Sequence, residues 1–322
     1  MIASPVDLAR TRTTLRRPGG ALPRASIGTV PILWNNVDLP DLAPAVGAAT
    51  VLDEIARTGY EGTQLGTGFP AGQALRDALL ARDLRLAEVY LSIPCTVDGP
   101  TDDSIAIARE RLALLHEGGG EVLVAAVDIS PGRSETSGRA VLSGTPRLTE
   151  DGWRRLAALL EELGGEAAAL GHSVAWHQHT GTFVETPDEL VRLMDLTDPA
   201  LLGVCLDVGH YIVGGGDPVA AVEQFGARVR HVHLKDVDPT VLGRLRAGEL
   251  ADFPAAIRAR LFTELGAGIL DLPAVLASLA RLDYAGWLMV EQDSCWGPPS
   301  ESAAIGRRVL GEALRRLGEQ AG

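Results

Sequence analysis

The sequence offers no footing for a disulfide scaffold. Its 322 residues hold only three cysteines, Cys95, Cys205 and Cys295. They are far apart, odd in number and lack a Cys-x-x-Cys pair, so neither a disulfide framework nor a structural zinc module is expected. As free thiols they suit small core positions in a reducing compartment. Long apolar runs are also missing: no segment reaches the roughly 18 apolar residues that span a bilayer. The N-terminal stretch MIASPVDLARTRTTLRRPGG carries arginines with no apolar run behind them. A Sec-type signal is therefore not expected, and residues 1–25 read as a loosely ordered N-terminal arm. Positive charge is scarce, with 29 Lys and Arg against 42 Asp and Glu and a net charge of −13. That balance argues against nucleic acid or an anionic membrane surface as partner. No Gly-x-Gly-x-x-Gly follows the first candidate strand, which removes positive support for a dinucleotide fold. Gly118-Gly119-Gly120 reads as a helix stop and Gly214-Gly215-Gly216 as a flexible loop. What remains is a cytoplasmic protein acting on a small molecule that is neutral or bridged by a cation.

Apolar residues make up 46% of the chain, ample for a sizeable core. From Ser26 onward, short β-branched runs alternate with amphipathic stretches. The runs are Ile27–Leu33, Gly62–Leu65, Leu86–Leu91, Val122–Val127, Val174–His177, Gly203–Asp207, Val229–Leu234 and Trp287–Glu291. Helical patterns between and after them cover Ala45–Thr58, Ala71–Ala81, Asp103–Glu117, Thr149–Leu170, Pro187–Met194, Pro218–Phe225, Leu272–Leu282 and Ser302–Leu317. Thr186-Pro187 and Asp217-Pro218 each put a capping side chain before a proline suited to the first helical turn. Strands alternating with helices predict parallel pairing through right-handed crossovers. Eight such units predict a closed (β/α)8 TIM barrel over an open sheet, because closure leaves no edges. Residues 26–322 read as this single domain, with an insertion at 236–268 after the seventh strand. Loops that follow barrel strands sit at the catalytic face, which makes the insertion a candidate lid.

Five of the seven histidines, His177, His179, His210, His231 and His233, fall at strands five to seven. His116 and His172 lie in or beside helices and read as surface or packing residues. Side chains two apart on a strand share a face, which pairs His177 with His179, His231 with His233 and Glu291 with Asp293. Asp207 ends the sixth strand and His210 follows in the turn. Each polar group sits at the C-terminal end of an apolar strand, where barrel active sites form. Burying imidazoles and carboxylates there is costly unless they are paired. One divalent cation would pair them, and His with Asp or Glu suits manganese, cobalt, zinc or iron with positions left open for substrate.

These motifs resemble the xylose isomerase-like barrel superfamily of sugar isomerases, epimerases and related lyases, over about residues 26–318. Within it, five segments are similar to the inosose dehydratases, which dehydrate 2-keto-myo-inositol. They are Pro31-Ile32-Leu33-Trp34-Asn35-Asn36 with Asp38-Leu39-Pro40; His177-Gln178-His179-Thr180-Gly181-Thr182; Leu206-Asp207-Val208-Gly209-His210 leading into Gly215-Gly216-Asp217-Pro218; His231-Val232-His233-Leu234-Lys235-Asp236; and Gly286-Trp287 leading into Glu291-Gln292-Asp293. The resemblance implies one cation held by His177, Asp207, His233 and Glu291. His177 stands where most of the superfamily has a glutamate, and His179 is the alternative ligand. Gln64 replaces a glutamate common on the second strand, which weakens an epimerase-type pair of acidic bases.

Mn2+ or Co2+ is the cation expected first, with Mg2+, Zn2+ and Fe2+ also compatible. The resemblance further implies elimination through a cation-stabilised enolate of a polyhydroxylated ketone or sugar. His210, Lys235 and Glu291 are the candidate catalytic groups. Trp34, Asn35, Gln64, Tyr90, His179, His231 and Trp296 are the candidate substrate contacts. The nearest rival is a ketose isomerase or epimerase using the same enediolate chemistry. A barrel endonuclease and a non-catalytic sugar-binding protein are weaker ones. Homodimer and homotetramer are both left open.

Overall fold

The computed structural model describes residues 21–321, and most of the expected N-terminal arm lies outside the described residues. Eight parallel strands close into a barrel, each hydrogen-bonded to its sequence neighbours and the last to the first. They are β1 (Ser26–Thr29), β2 (Gly62–Gln64), β3 (Arg85–Ile93), β4 (Val122–Val127), β5 (Ser173–His177), β6 (Leu202–Asp207), β7 (Val229–Leu234) and β8 (Trp287–Val290). Closure is made by the register Ser26↔Trp287 through Thr29↔Val290 on one side of β1 and Gly28↔Gly62 on the other. The eight-stranded closed sheet is the one the strand–helix alternation predicted.

The outer ring consists of α1 (Ala48–Arg57), α2 (Gly72–Leu80), α3 (Ser104–Gly118), α4 (Glu150–Ala169), α5 (Pro187–Asp195), α6 (Pro218–Phe225), α7 (Leu272–Arg281) and α8 (Pro299–Ala321). The capping signals act as chemistry requires. Thr186 and Glu189 form a reciprocal capping box around Pro187, and the Asp217 carboxylate accepts from Val219 N. Gly119, at φ 70°, stops α3. The main apolar cluster lies between the sheet and this ring, with Leu52, Ile55, Leu115, Leu160, Val174, Leu206 and Leu288 all within 1% of full burial. His116 and His172 lie on the outer ring and bond each other at 3.0 Å.

One expectation needs correction. The first strand ends at Thr29, and Pro31–Leu33 forms a 3-10 turn. Pro31 has no N–H for the ladder, so strand pairing cannot continue through it. The insertion after the seventh strand holds helices Pro239–Arg246 and Phe253–Arg258 and a two-stranded pair, Asp236–Val237 with Phe262–Thr263. Asp238 and Asp252 cap the two helices. The insertion has its own apolar cluster, in which Leu245, Phe253, Ile257, Leu261 and Phe262 pack with Leu39 from the loop after β1 and Val213 after β6. Asp236 closes its base, taking N–H bonds from Val237, Gly266, Gly268 and Leu270. Gly268 is required there, because a Cβ would meet Asp236 Oδ1 at 2.3 Å.

Candidate active site

The C-terminal strand ends open on a cavity of about 710 Å³ whose wall includes Asn35, Asp38, Gln64, Tyr90, His177, His179, His233 and Glu291. At its floor, ligand atoms of His177, Asp207, His233 and Glu291 all lie within 4.8 Å of one another, and all four residues are buried. His177 Nε2 is 3.3 Å from Asp207 Oδ2, and His233 Nδ1 is 3.8 Å from the same oxygen and 2.6 Å from Glu291 Oε2. His233 Nδ1 and Glu291 Oε2 are buried and make no hydrogen bond. Two imidazole nitrogens and two carboxylates that converge, with His233 Nδ1 and Glu291 Oε2 left without a hydrogen bond, match the donor set of a divalent cation. The four residues therefore fit one, and they are the four that the family resemblance implied.

Strand geometry explains why His177 and not His179 joins it. His177 is the last residue of β5, where side-chain alternation still holds. His179 lies in the following turn, with its Nδ1 2.8 Å from Thr180 O. A carbonyl only accepts, so Nδ1 carries the proton and Nε2 is bare. Burial, with His177 adding to it, pushes the His179 pKa down to about 3, so the ring is neutral near neutrality.

Behind the cluster lies a second buried layer. Lys235 is 1% exposed, with Nζ 2.6 Å from Asp293 Oδ1, 3.0 Å from Glu291 Oε1, 3.6 Å from Asp207 Oδ2 and 3.0 Å from His210 Nε2. Burial opposes its charge, but Asp293, Glu291 and Asp207 outweigh that and hold the ammonium pKa well above its usual value. Gly209 allows this approach, since a Cβ would meet Lys235 Cβ at 2.8 Å. Asp207 caps the short helix Val208–Val213 by accepting from His210 N at 2.8 Å. His210 stacks on His179 at 4.0 Å between centroids, and its Nδ1 lies 2.8 Å from Thr180 Oγ1. Burial, with His179 and Lys235 adding to it, lowers its pKa well below normal. Phe253 and Phe262 of the insertion close over it at 5.8 and 5.0 Å.

Several expected contacts fall elsewhere. Trp34 is 2% exposed and donates its indole N–H to Glu54 at 2.6 Å, away from the cavity wall. Asn35 reaches the wall, but its amide is used at both ends by Val46 N and O. Trp296 lies under Arg260 at 4.6 Å and serves as a loop anchor. His231 is fully buried inside the barrel, in contact with Glu88. His210 and Lys235 stand behind the wall and do not line it. Gln64 and Tyr90 do line it, and the Tyr90 ring meets His177 edge-on at 5.8 Å.

Other residues escaped the sequence reading. Asp38 lines the cavity on the loop after β1, held by Asn36, whose Oδ1 accepts from Asp38 N and Leu39 N. The surrounding wall desolvates the Asp38 carboxyl and raises its pKa, against the pull of Lys235. Its signals were its place after a strand and its membership of the Asp38-Leu39-Pro40 segment, neither of which gave it a role. Glu88 carried a clearer one, as the lone carboxylate inside the apolar run Leu86–Leu91. Glu185 is buried beside the His179 turn and accepts from Gly181 N and Gly138 N at 2.7 and 2.8 Å. Burial pushes its pKa up to about 7.

The model of the xylose isomerase-like TIM barrel family matches residues 52–313. The chain is 33% identical over 297 residues to an inosose dehydratase of Clostridium botulinum (strain Alaska E43 / Type E3), covering 90% of this chain and 97% of that one. It is 32% identical over 289 residues to the inosose dehydratase of Lacticaseibacillus casei, covering 88% and 95%. Among solved structures, an L-ribulose 3-epimerase superposes with a TM-score of 0.68 at 18% identity, covering 92% of this chain and 97% of that one. A probable 3-DHS dehydratase of Bacillus anthracis superposes with a TM-score of 0.66 at 15% identity, covering 89% and 98%. These last two likenesses concern the fold.

Proposed function

The chain belongs to the xylose isomerase-like TIM barrel family, and from that premise we propose that it is a cation-dependent hydro-lyase that dehydrates a keto-cyclitol such as 2-keto-myo-inositol. The observation that carries this reading is the convergence of His177, Asp207, His233 and Glu291 on one point beneath the cavity. The names of the relatives supply the substrate class. With two nitrogen and two carboxylate donors, Mn2+ or Co2+ is the expected ion. A divalent cation bound there would act as a Lewis acid toward the substrate carbonyl oxygen, contributing several kcal/mol as the α-carbon loses its proton.

The chain's own residues handle the proton. His179 lines the cavity, and its Nε2 is bare because Nδ1–H is committed to Thr180 O. It accepts the proton α to the ketone. The same imidazolium returns that proton to the hydroxyl leaving the β-carbon. Water departs, a carbon–carbon double bond forms beside the carbonyl, and both transfers occur on one face of the ring. Lys235 remains charged between Asp293, Glu291 and Asp207 and keeps Glu291 ionised at the wall. Lys235 Nζ lies 3.0 Å from His210 Nε2, and His210 Nδ1 accepts the Thr180 N–H at 3.2 Å and lies 2.8 Å from Thr180 Oγ1. With both nitrogens engaged, His210 supports His179 by stacking and does not exchange protons with substrate. Phe253 and Phe262 keep water from that stack. Gln64 and Tyr90 offer hydrogen-bonding edges to ring hydroxyls.

The test is to incubate Mn2+-loaded protein with 2-keto-myo-inositol and a panel of ketoses in deuterated water. Enone absorbance is expected, abolished by chelation, restored by Mn2+ and absent in His179→Gln and Glu291→Gln. Deuterium exchange at C2 or C3 of a ketose with no enone would replace this reading with an isomerase or epimerase.

A further inference from the structure

We propose that Glu88, buried inside the barrel, is the positioning residue that sets which nitrogen of His233 faces the cation cluster; the inference rests on the reading that the cluster holds a divalent cation. Glu88 lies on β3 and His231 and His233 lie on β7. Alternate strands contribute side chains to the same interior layer of a barrel, so odd-numbered strands can meet across it. Here they do. Glu88 is 0% exposed, and its Oε2 stands 2.9 Å from His233 Nε2 and also touches His231 Nε2.

An ionised carboxylate has no proton to give, so His233 Nε2 must carry one and donate it. Nδ1 is then the lone-pair nitrogen, and it is the atom directed at Glu291 and Asp207. Without Glu88, the His233 Nε2–H would be buried without an acceptor. The ring would gain the opposite tautomer, whose Nδ1–H cannot ligate a cation. A carboxylate that bonds the distal nitrogen of a ligating imidazole is conserved in its effect across metal sites, where its loss costs about 10–100-fold in affinity. His231 takes the other side of the same oxygen. It is explained as the second partner that keeps Glu88 in place, not as a substrate contact.

A competing use of these residues exists. Cys205, His231 and His233 also bring ligand atoms within 4.8 Å of one another, which would suit a cation deeper in the barrel. Glu88 engages both imidazoles at Nε2, which favours the hydrogen-bonded arrangement.

Three readouts other than turnover test the proposal. Co2+ titration of the demetallated wild type, followed by its visible spectrum, should give one ion per chain and no intense sulfur-to-cobalt band. Glu88→Gln keeps the size but not the charge, and should bind Co2+ about 10–100-fold more weakly. Glu88→Asp should recover part of the loss. Should these variants fail to fold, nitrogen-resolved NMR of labelled histidines in wild-type protein loaded with Zn2+ decides alone, with the His233 proton expected on Nε2. A wild type that binds no Co2+ overturns the cation reading and the inference together. Wild type that binds while Glu88→Gln binds equally well overturns the inference alone. So does a His233 proton on Nδ1, or a second ion with a sulfur-to-cobalt band.

Discussion

Replacing Lys235 with methionine isolates the electrostatics of the site in a single perturbation. The ammonium is 1% exposed and lies within 3.6 Å of carboxylate oxygens from Asp207, Glu291 and Asp293. Methionine preserves the apolar stem and its packing near Phe262, whose ring centroid is 4.6 Å from Nζ. The charge is lost, and three buried carboxylates are left facing one another. Removing one partner of a buried ion pair costs about 3–5 kcal/mol. For a chain of this size that is a fall of about 6–10 °C in the melting midpoint, at roughly 2 °C per kcal/mol. The loss should depend on the cation. Mn2+ and the ammonium compete for the charge of Asp207 and Glu291, so an ion in the cluster should recover part of what the lysine supplied. The assay is urea unfolding of wild type and Lys235→Met, each demetallated and Mn2+-loaded, combined as a four-cornered cycle. The loss should be largest without the cation and smaller with it, the coupling being about 1–3 kcal/mol, the range for groups that share partners. An equal loss in both conditions would refute the premise that Lys235 and the cation share one carboxylate field.

Three further outcomes follow from other parts of the structure. The Glu185 carboxyl has its pKa raised by burial from 4.5 to about 7, so the folded state holds the proton longer than the unfolded chain. That contribution is fully present below about pH 4.5 and is lost as the pH rises through about 7, amounting to about 3 kcal/mol at most; Glu185→Gln should gain stability relative to wild type between about pH 5 and 8, and a pH-independent difference in thermal unfolding would contradict this. Arg133 is fully buried and holds Glu189 through two bonds of 2.7 and 2.8 Å, so Arg133→Met should cost about 3–5 kcal/mol in urea unfolding. A loss below about 1 kcal/mol would show that water reaches Glu189. Trp296→Ala removes an exposed stacking partner of Arg260 and should cost about 1 kcal/mol or less, leaving kcat/KM for 2-keto-myo-inositol unchanged; a large rise in KM would return Trp296 to the substrate pocket.

Much of the barrel was legible because its signals are local. Each of the eight apolar runs overlaps an observed strand, and Thr186-Pro187 and Asp217-Pro218 begin helices where their side chains can cap. The insertion was given no internal elements, although its helices carry the same signal, with Asp238 before Pro239 and Asp252 shortly before Pro254. Its apolar residues pack on Leu39 and Val213, distant in sequence, so no short window showed that they had a core to join. The site divides in a similar way. Polar residues at the ends of apolar strands marked a set that includes His177, Asp207, His233 and Glu291, since a barrel gathers those ends at one face, and the family resemblance singled out these four. Trp34 and Trp296 were drawn in by proximity to that face, but neither points into the cavity.

By itself, the order of residues determined the alternation of strand and helix, the closure this implies, and the chemical character of the strand ends. It did so through period-two and helical patterning, turn residues and capping, which act over a few positions. The tertiary structure alone decided which of two neighbouring histidines turns toward the cluster, that Lys235 is caged by three carboxylates, and that Glu88 reaches His233 across the barrel. Those facts depend on strand register and on contacts between residues as far apart as 88 and 233, which exist only after the barrel has closed.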